Sequence, residues 1–165
     1  MIPMDLHFSR FDFSQIELRV LAWLSKDPML LHCYQNDLDV HQITADEVTG
    51  GNRAIAKQVN FGNAFGMTEV GLAIRLPDYA LDPDKARIDA KAYLRRFFNT
   101  YAGIPLFREA LASRMRSNNC MFVNAFGRPR RIPEIASSER WVVARAKRRM
   151  MSSIVSGTAA DLAKE

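Results

Sequence analysis

Apolar residues recur at helical spacing through most of this chain and alternate in only a few places. The run Leu6-His7-Phe8-Ser9-Arg10-Phe11-Asp12-Phe13 alternates and is rich in aromatic rings, which predicts a strand ending near Asp12. Ser14 then suits a helix N-cap, with Glu17 three residues on at the spacing of a capping box. Ile16, Leu18, Val20, Leu21, Trp23 and Leu24 make that helix apolar around much of its circumference, hence largely buried, and Lys26-Asp27-Pro28 ends it. Further helices are predicted over 29–35, 41–48, 53–65, 68–76, 83–99 and 105–118. They are punctuated by Asn36-Asp37-Leu38-Asp39, Thr49-Gly50-Gly51-Asn52, Pro77-Asp78 and Gly103-Ile104-Pro105, with Pro83 and Pro105 in first-turn positions. Segments 120–124 and 130–132 flank Ala125-Phe126-Gly127-Arg128-Pro129 and predict a small hairpin; a long helix follows from Ser138, with Gly157 as its weak point. The expected class is α+β, predominantly α, with no repeat and no linker dividing the chain.

Composition narrows the class without naming an activity. With 165 residues, 48% hydrophobic and 25% charged, the chain can bury a core and is globular rather than disordered. No apolar run nears the ~20 residues of a bilayer span, and Met1-Ile2-Pro3-Met4-Asp5 lacks signal-peptide anatomy, so a soluble cytoplasmic protein without a membrane partner is expected. Cys33 and Cys120 have no Cys-x-x-Cys pairing and are expected as reduced structural thiols. The net charge of +5 points to a polyanionic partner. Its distribution sharpens the point: between Arg128 and Arg149 eight Arg or Lys residues face only Glu134 and Glu139.

The stretch from Arg53 to Gly66 carries the most chemistry. Read as a helix, it sets Arg53, Lys57, Phe61 and Phe65 four residues apart, two cations and two rings along one drifting face. The rise from Arg53 to Phe61 is roughly 12 Å, about the length of an extended nucleoside triphosphate. Cations would meet phosphates and a ring would meet sugar and base. The plainer alternative is an amphipathic helix with solvated cations and buried rings, and spacing alone leaves both open. Asp12, where a strand gives way to a helix, is placed to project a carboxylate toward a hard metal ion or to serve as a cap.

Asp12-Phe13-Ser14-Gln15-Ile16-Glu17-Leu18-Arg19 resembles motif A of the family A DNA polymerases, and Arg53, Lys57, Phe61, Phe65 and Gly66 resemble motif B at its spacing. Asp39-Val40-His41, Phe126-Gly127-Arg128-Pro129-Arg130 and Gly157-Thr158-Ala159-Ala160-Asp161 follow in the family's order, so the resemblance runs from about Asp12 to the last residue. It implies a partial right-hand polymerase palm with helical fingers: partial palm over 1–18, fingers over 19–138 with the motif B helix at about 53–65, and the start of a second palm segment over 139–165. The activity implied is that of a DNA-directed DNA polymerase, a nucleotidyltransferase of replication and repair that adds deoxynucleotides to a primer by two-metal phosphoryl transfer. Asp12 and Lys57 would be catalytic, and Asp12 with the carbonyl of Phe13 would hold Mg²⁺. Gln15, Glu17, His41, Arg53, Lys57 and Phe61 would bind the nucleotide, Glu17 as a steric gate at the sugar 2′ position. Phe65, Arg148, Ser152 and Ser156 would meet primer-template DNA.

Departures from the family pattern matter as much. Phe13 and Phe65 replace the usual Tyr, each keeping a ring and dropping a hydroxyl. Ser152 and Ser156 stand where longer Asn and Gln are usual, and the connection from Val48 to Arg53 is short. The His-Asp hairpin of motif C, expected beyond Lys164, is not within these residues, so little activity is expected of the chain alone, and a separate chain supplying the rest of palm and thumb is one expected partner. Two other readings remain open at this point: a non-catalytic remnant that binds DNA or nucleotides, and a single-subunit RNA polymerase, against which Glu17 and Phe61 argue. A bacterial, viral or organellar host fits equally well.

Overall fold

The helix α1 (Ile16–Ser25) ends at Lys26, whose left-handed backbone (φ 52°) turns the chain so that Asp27 is fully buried. Both oxygens of that carboxylate are occupied. Oδ1 accepts from the Leu30 N–H at 3.0 Å and caps α2 (Pro28–Gln35), while Oδ2 accepts at 2.7 Å from the N–H of Gly103, 76 residues on. The computed structural model describes residues 13–165.

Three of the next helices begin at side-chain caps. Asp39 caps α3 (Val40–Val48), Asn52 caps α4 (Arg53–Ala64) through the Ile55 N–H at 3.1 Å, and Asp82 caps α6 (Pro83–Thr100) through Lys85 at 2.9 Å. Between α4 and α6 lie the short α5 (Glu69–Ala73) and a 3₁₀ turn, Pro77–Ala80. Then come α7 (Gly103–Ser117), the antiparallel strands β1 (Met121–Val123) and β2 (Pro129–Arg131) with Phe122 opposite Arg130, a second 3₁₀ turn (Pro133–Ala136) and the long α8 (Arg140–Leu162). One core joins them, through Leu18 and Leu21 of α1, Val59 of α4, Phe97 and Tyr101, Met115 of α7, and Met150 and Ile154 of α8. The fold is α+β and predominantly α, as expected.

Several local expectations fail for identifiable reasons. The strand predicted over 6–12 lies outside the described residues. Ser14 does not cap α1: the N-cap is Gln15, left-handed at φ 54° with no side-chain cap, and Glu17 is drawn to α8 instead. The predicted helix over 68–76 shortens to α5 because Pro77 favours an extended residue before it, and Leu76 has ψ 140°. Trp23, expected on the buried part of α1, stays half exposed. Gly157 does not weaken α8, which runs unbroken with Ile154, Val155, Thr158 and Ala159 all buried around it. Among the described residues no helix is long and apolar enough to cross a membrane.

Asp27 gives the first testable consequence. Asp27→Ala strands two buried N–H groups and should lower unfolding free energy by about 2 to 4 kcal/mol, read as a drop in the urea midpoint. Gly103→Ala should also destabilise, because its Cβ would lie 2.7 Å from the Asp27 Cα. Unchanged midpoints in both variants would show that this bridge does not hold α2 to α7.

Candidate functional site

The corner between α3 and α4 gathers the largest share of the residues singled out from sequence. Asp39 organises it with one carboxylate. Its Oδ1 accepts from the N–H groups of His41 at 2.8 Å and Gln42 at 3.3 Å, and its Oδ2 accepts from Arg53 Nε at 3.0 Å and Nη2 at 2.6 Å. Burial pushes the Asp39 carboxyl up, but the Arg53 guanidinium and the two N–H donors outweigh it and hold it below the usual range. Both partners are half exposed, so the ion pair is worth at most about 1 kcal/mol; it aims Arg53 more than it stabilises the fold.

His41 is only 4% exposed, with Nδ1 2.8 Å from Asn60 Nδ2 and its ring centroid 5.7 Å from that of Phe61. Burial pulls the imidazole pKa below its ordinary value; Asp39 opposes that, and the nearby charges of Arg53 and Lys57 reinforce it. At neutral pH His41 is therefore an uncharged ring beside two cations. Along α4, Arg53 and Lys57 are exposed while Phe61 and Phe65 are half-buried against the core. The face that carries both charges and rings is thus graded in depth. Phe65 is the C-cap of α4, and Gly66 follows at φ 79°, where an added Cβ would lie 3.0 Å from Arg148 Cγ. Arg148 of α8 accordingly lies over the end of α4.

A second group forms where α1 meets α8. The Ser156 hydroxyl donates to Glu17 Oε1 at 2.6 Å across 139 residues of sequence. Gln15 is held by the Tyr34 hydroxyl, which donates to its Oε1 at 2.9 Å, and Arg19 lies over the Tyr34 ring at 4.6 Å. Burial raises the Tyr34 pKa, keeping that hydroxyl a donor. Ser152 and Ser156 line a cleft of about 280 Å³ with Phe122, Asn124, Arg128 and Arg130. The hairpin is fastened beside it: Asn124 Nδ2 donates to Asp161 Oδ2 at 2.8 Å, and Arg128 pairs with Asp161 Oδ1.

Sequence reading passed over Tyr34, Thr44 and Asn60. The signal for Asn60 was present: an amide on the apolar side of an amphipathic helix, where a buried polar group needs partners. Tyr34 and Thr44 gave no comparable local sign. Asp12 lies outside the described residues. Among those described, no three His, Cys, Asp or Glu side chains gather as a metal ion requires, so they do not by themselves form the expected Mg²⁺ site.

With this geometry in place, likeness to known proteins becomes specific. The family model for DNA polymerase family A matches residues 1–165. DNA polymerase I of Pseudomonas aeruginosa is 37% identical over 162 residues, covering 93% of this chain and 17% of its own length. DNA polymerase I of Bacillus caldotenax is 33% identical over 162 residues, again 93% of this chain, and 18% of its own. Among solved structures, the POL domain of Pol1 from M. smegmatis in complex with DNA primer-template and dNTP superposes with a TM-score of 0.75 at 30% identity, covering 93% of this chain and 27% of that one. The chain belongs to DNA polymerase family A. It spans less than a fifth of the length of these DNA polymerase I relatives.

The depressed His41 pKa has a consequence for stability. As pH falls below the ordinary value of 6.5, the unfolded chain takes up this proton before the folded one does, so the contribution of His41 is present above that pH and lost below it. The depressed carboxylate of Asp39 loses its own contribution only further down, below about pH 4. Urea midpoints should fall between pH 7 and pH 5.5, and fall less in His41→Gln. An equal fall in both proteins would contradict the assignment.

Proposed function

We propose that this chain forms the nucleotide-handling part of a DNA-directed DNA polymerase, the complete enzyme adding deoxynucleotides to a primer 3′-hydroxyl in DNA replication and repair. The observation that carries this reading is the α3–α4 corner, where Arg53 and Lys57 stand exposed beside a neutral His41 backed by Phe61. Arg53 and Lys57 neutralise the triphosphate, and Lys57, free of any ion pair among the described residues, stays with the charge that moves onto the leaving pyrophosphate. Arg53 exchanges Asp39 for a phosphate at little cost, since their exposed pair is weak. His41 supplies a hydrogen bond without adding charge. Phe61 packs on sugar and base, giving orientation without reading sequence.

Glu17 acts as the gate at the sugar 2′ position, its carboxylate steadied by Ser156, and Gln15 lines the same end of the nucleotide. Phe65, Arg148, Ser152 and Ser156 meet primer-template DNA, on the basic side of α8. Asp12 and the carbonyl of Phe13 are the proposed ligands of Mg²⁺, which when bound supplies positive charge at the reacting phosphate. In this reading residues 1–18 and 139–165 belong to the palm and 19–138 to the fingers.

Titration of the chain with a fluorescent deoxynucleoside triphosphate, in buffer containing Mg²⁺, tests the corner directly. Lys57→Ala should weaken affinity about tenfold or more, the scale of one charge-assisted hydrogen bond, and equal affinity would remove the proposal's main support. A parallel titration with the ribonucleotide tests the gate. Glu17→Ala should narrow the preference for the deoxy form and Ser156→Ala should narrow it less, whereas a preference unchanged in Glu17→Ala would count against that role.

A further inference from the structure

Behind His41 lies a polar chain that the nucleotide reading does not use. Asn60 of α4 is 1% exposed, and its amide faces two ways: Nδ2 toward His41 Nδ1 at 2.8 Å, Oδ1 toward Thr44 Oγ1 at 2.9 Å. Thr44 is fully buried and lies 2.7 Å from the hydroxyl of Tyr101, also fully buried. Burial pushes the Tyr101 hydroxyl up to about 12, so it keeps its proton; because Thr44 Oγ1 also faces two acceptors, the Val40 carbonyl and Asn60 Oδ1, Tyr101 is the donor in its pair with Thr44. That leaves the single Thr44 proton for Asn60 Oδ1 or for the Val40 carbonyl, 2.8 Å away. With Oδ1 turned to the Thr44 hydroxyl, the amide presents its nitrogen to His41.

A neutral imidazole has one donor nitrogen and one acceptor, and the partner of one decides the state of the other. An amide nitrogen only donates, so the ring nitrogen it meets must offer a lone pair. We propose that Asn60 is a positioning residue for His41: its amide fixes the neutral ring as the Nε2–H tautomer, leaving that proton as a donor to a nucleotide phosphate. Among the described residues Nε2 has no hydrogen-bond partner. The opposite amide orientation would demand Nδ1–H and leave Nε2 as a bare acceptor, which repels a phosphate oxygen. Asn60 therefore decides whether His41 adds to the attraction of Arg53 and Lys57 for the triphosphate or opposes it. The charged groups around the ring, Asp39 from the start of α3 and Arg53 and Lys57 from α4, shift its protonation but do not choose its tautomer. The donor role rests on the nucleotide reading above; the tautomer does not.

The two are separable in one experiment on the whole ¹⁵N-labelled chain. Long-range proton-nitrogen correlations at pH 7.5, assigned by loss of signals in His41→Gln, should show Nε2 protonated and Nδ1 bare. Asn60→Asp, whose carboxylate accepts instead of donating, should switch the ring to Nδ1–H or to imidazolium and raise its apparent pKa. Thr44→Ser, which keeps the hydroxyl, should leave the tautomer as in the parent protein. Protonated Nδ1 in the parent chain, or an unaltered ring in a folded Asn60→Asp, would overturn the assignment, and the first of these needs no variant to fold. Adding a deoxynucleoside triphosphate with Mg²⁺ should then shift the Nε2–H resonance. The expected tautomer with no such shift would overturn the phosphate-donor role while upholding the positioning by Asn60; Nδ1–H with tight nucleotide binding would overturn both while leaving the nucleotide reading itself standing.

Discussion

Three helices of this molecule meet over a core that is not wholly apolar at its centre. Thr44 from α3, Asn60 from α4 and Tyr101, just past α6, are buried together, and each satisfies part of the hydrogen-bonding need of another. An unmatched polar group in such a place costs about 1 to 3 kcal/mol, so a slip of any helix along its axis would strand at least one of them. Apolar packing tolerates small shifts; this triangle does not. The relation between Asp39, His41, Arg53 and Lys57 at the surface follows from it, because His41 sits three residues before Thr44 on α3 and Lys57 three residues before Asn60 on α4.

Legibility in the sequence followed the range of the interaction. The starts of α2, α3, α4 and α6 were legible to about a residue from the turn residues and prolines before them, while the caps at Asp27, Asp39, Asn52 and Asp82 were not singled out; the hairpin was legible from its Gly-containing loop. Ser14 and Glu17 looked like a local pair but are not one. Glu17 instead accepts a bond from Ser156, a partner that no window along the chain brings near it. Phe61 follows Arg53 and Lys57 along one side of α4 as the spacing predicts, and Phe65 falls at its C-cap rather than on the helix; the depth of each ring depends on α3 and on the rest of the core. Asn60 escaped notice because hydrophobic periodicity treats a polar residue on the inner face as noise, and only coordinates show what it touches.

Two positions expected from sequence to depart from the family pattern look different once placed. Ser156, a short side chain, has its hydroxyl engaged by Glu17, so it steadies that carboxylate rather than reaching outward. Phe65, lacking a hydroxyl, leaves the end of α4 held by packing and by the backbone bonds of Gly66 and Met67 to Asn63 and Gly62, with the stem of Arg148 close to Gly66. One change falls where α1 meets α8, the other at the end of α4 beside Arg148 of α8.

Asp161 shapes what can move. Its carboxylate, 8% exposed, is saturated by Asn124 and Arg128, so the tip of the hairpin is riveted to the last turns of α8. A helix so braced behaves as a stiff strut. The freer backbone lies elsewhere, at the glycine pair before α4 and the left-handed glycine after it.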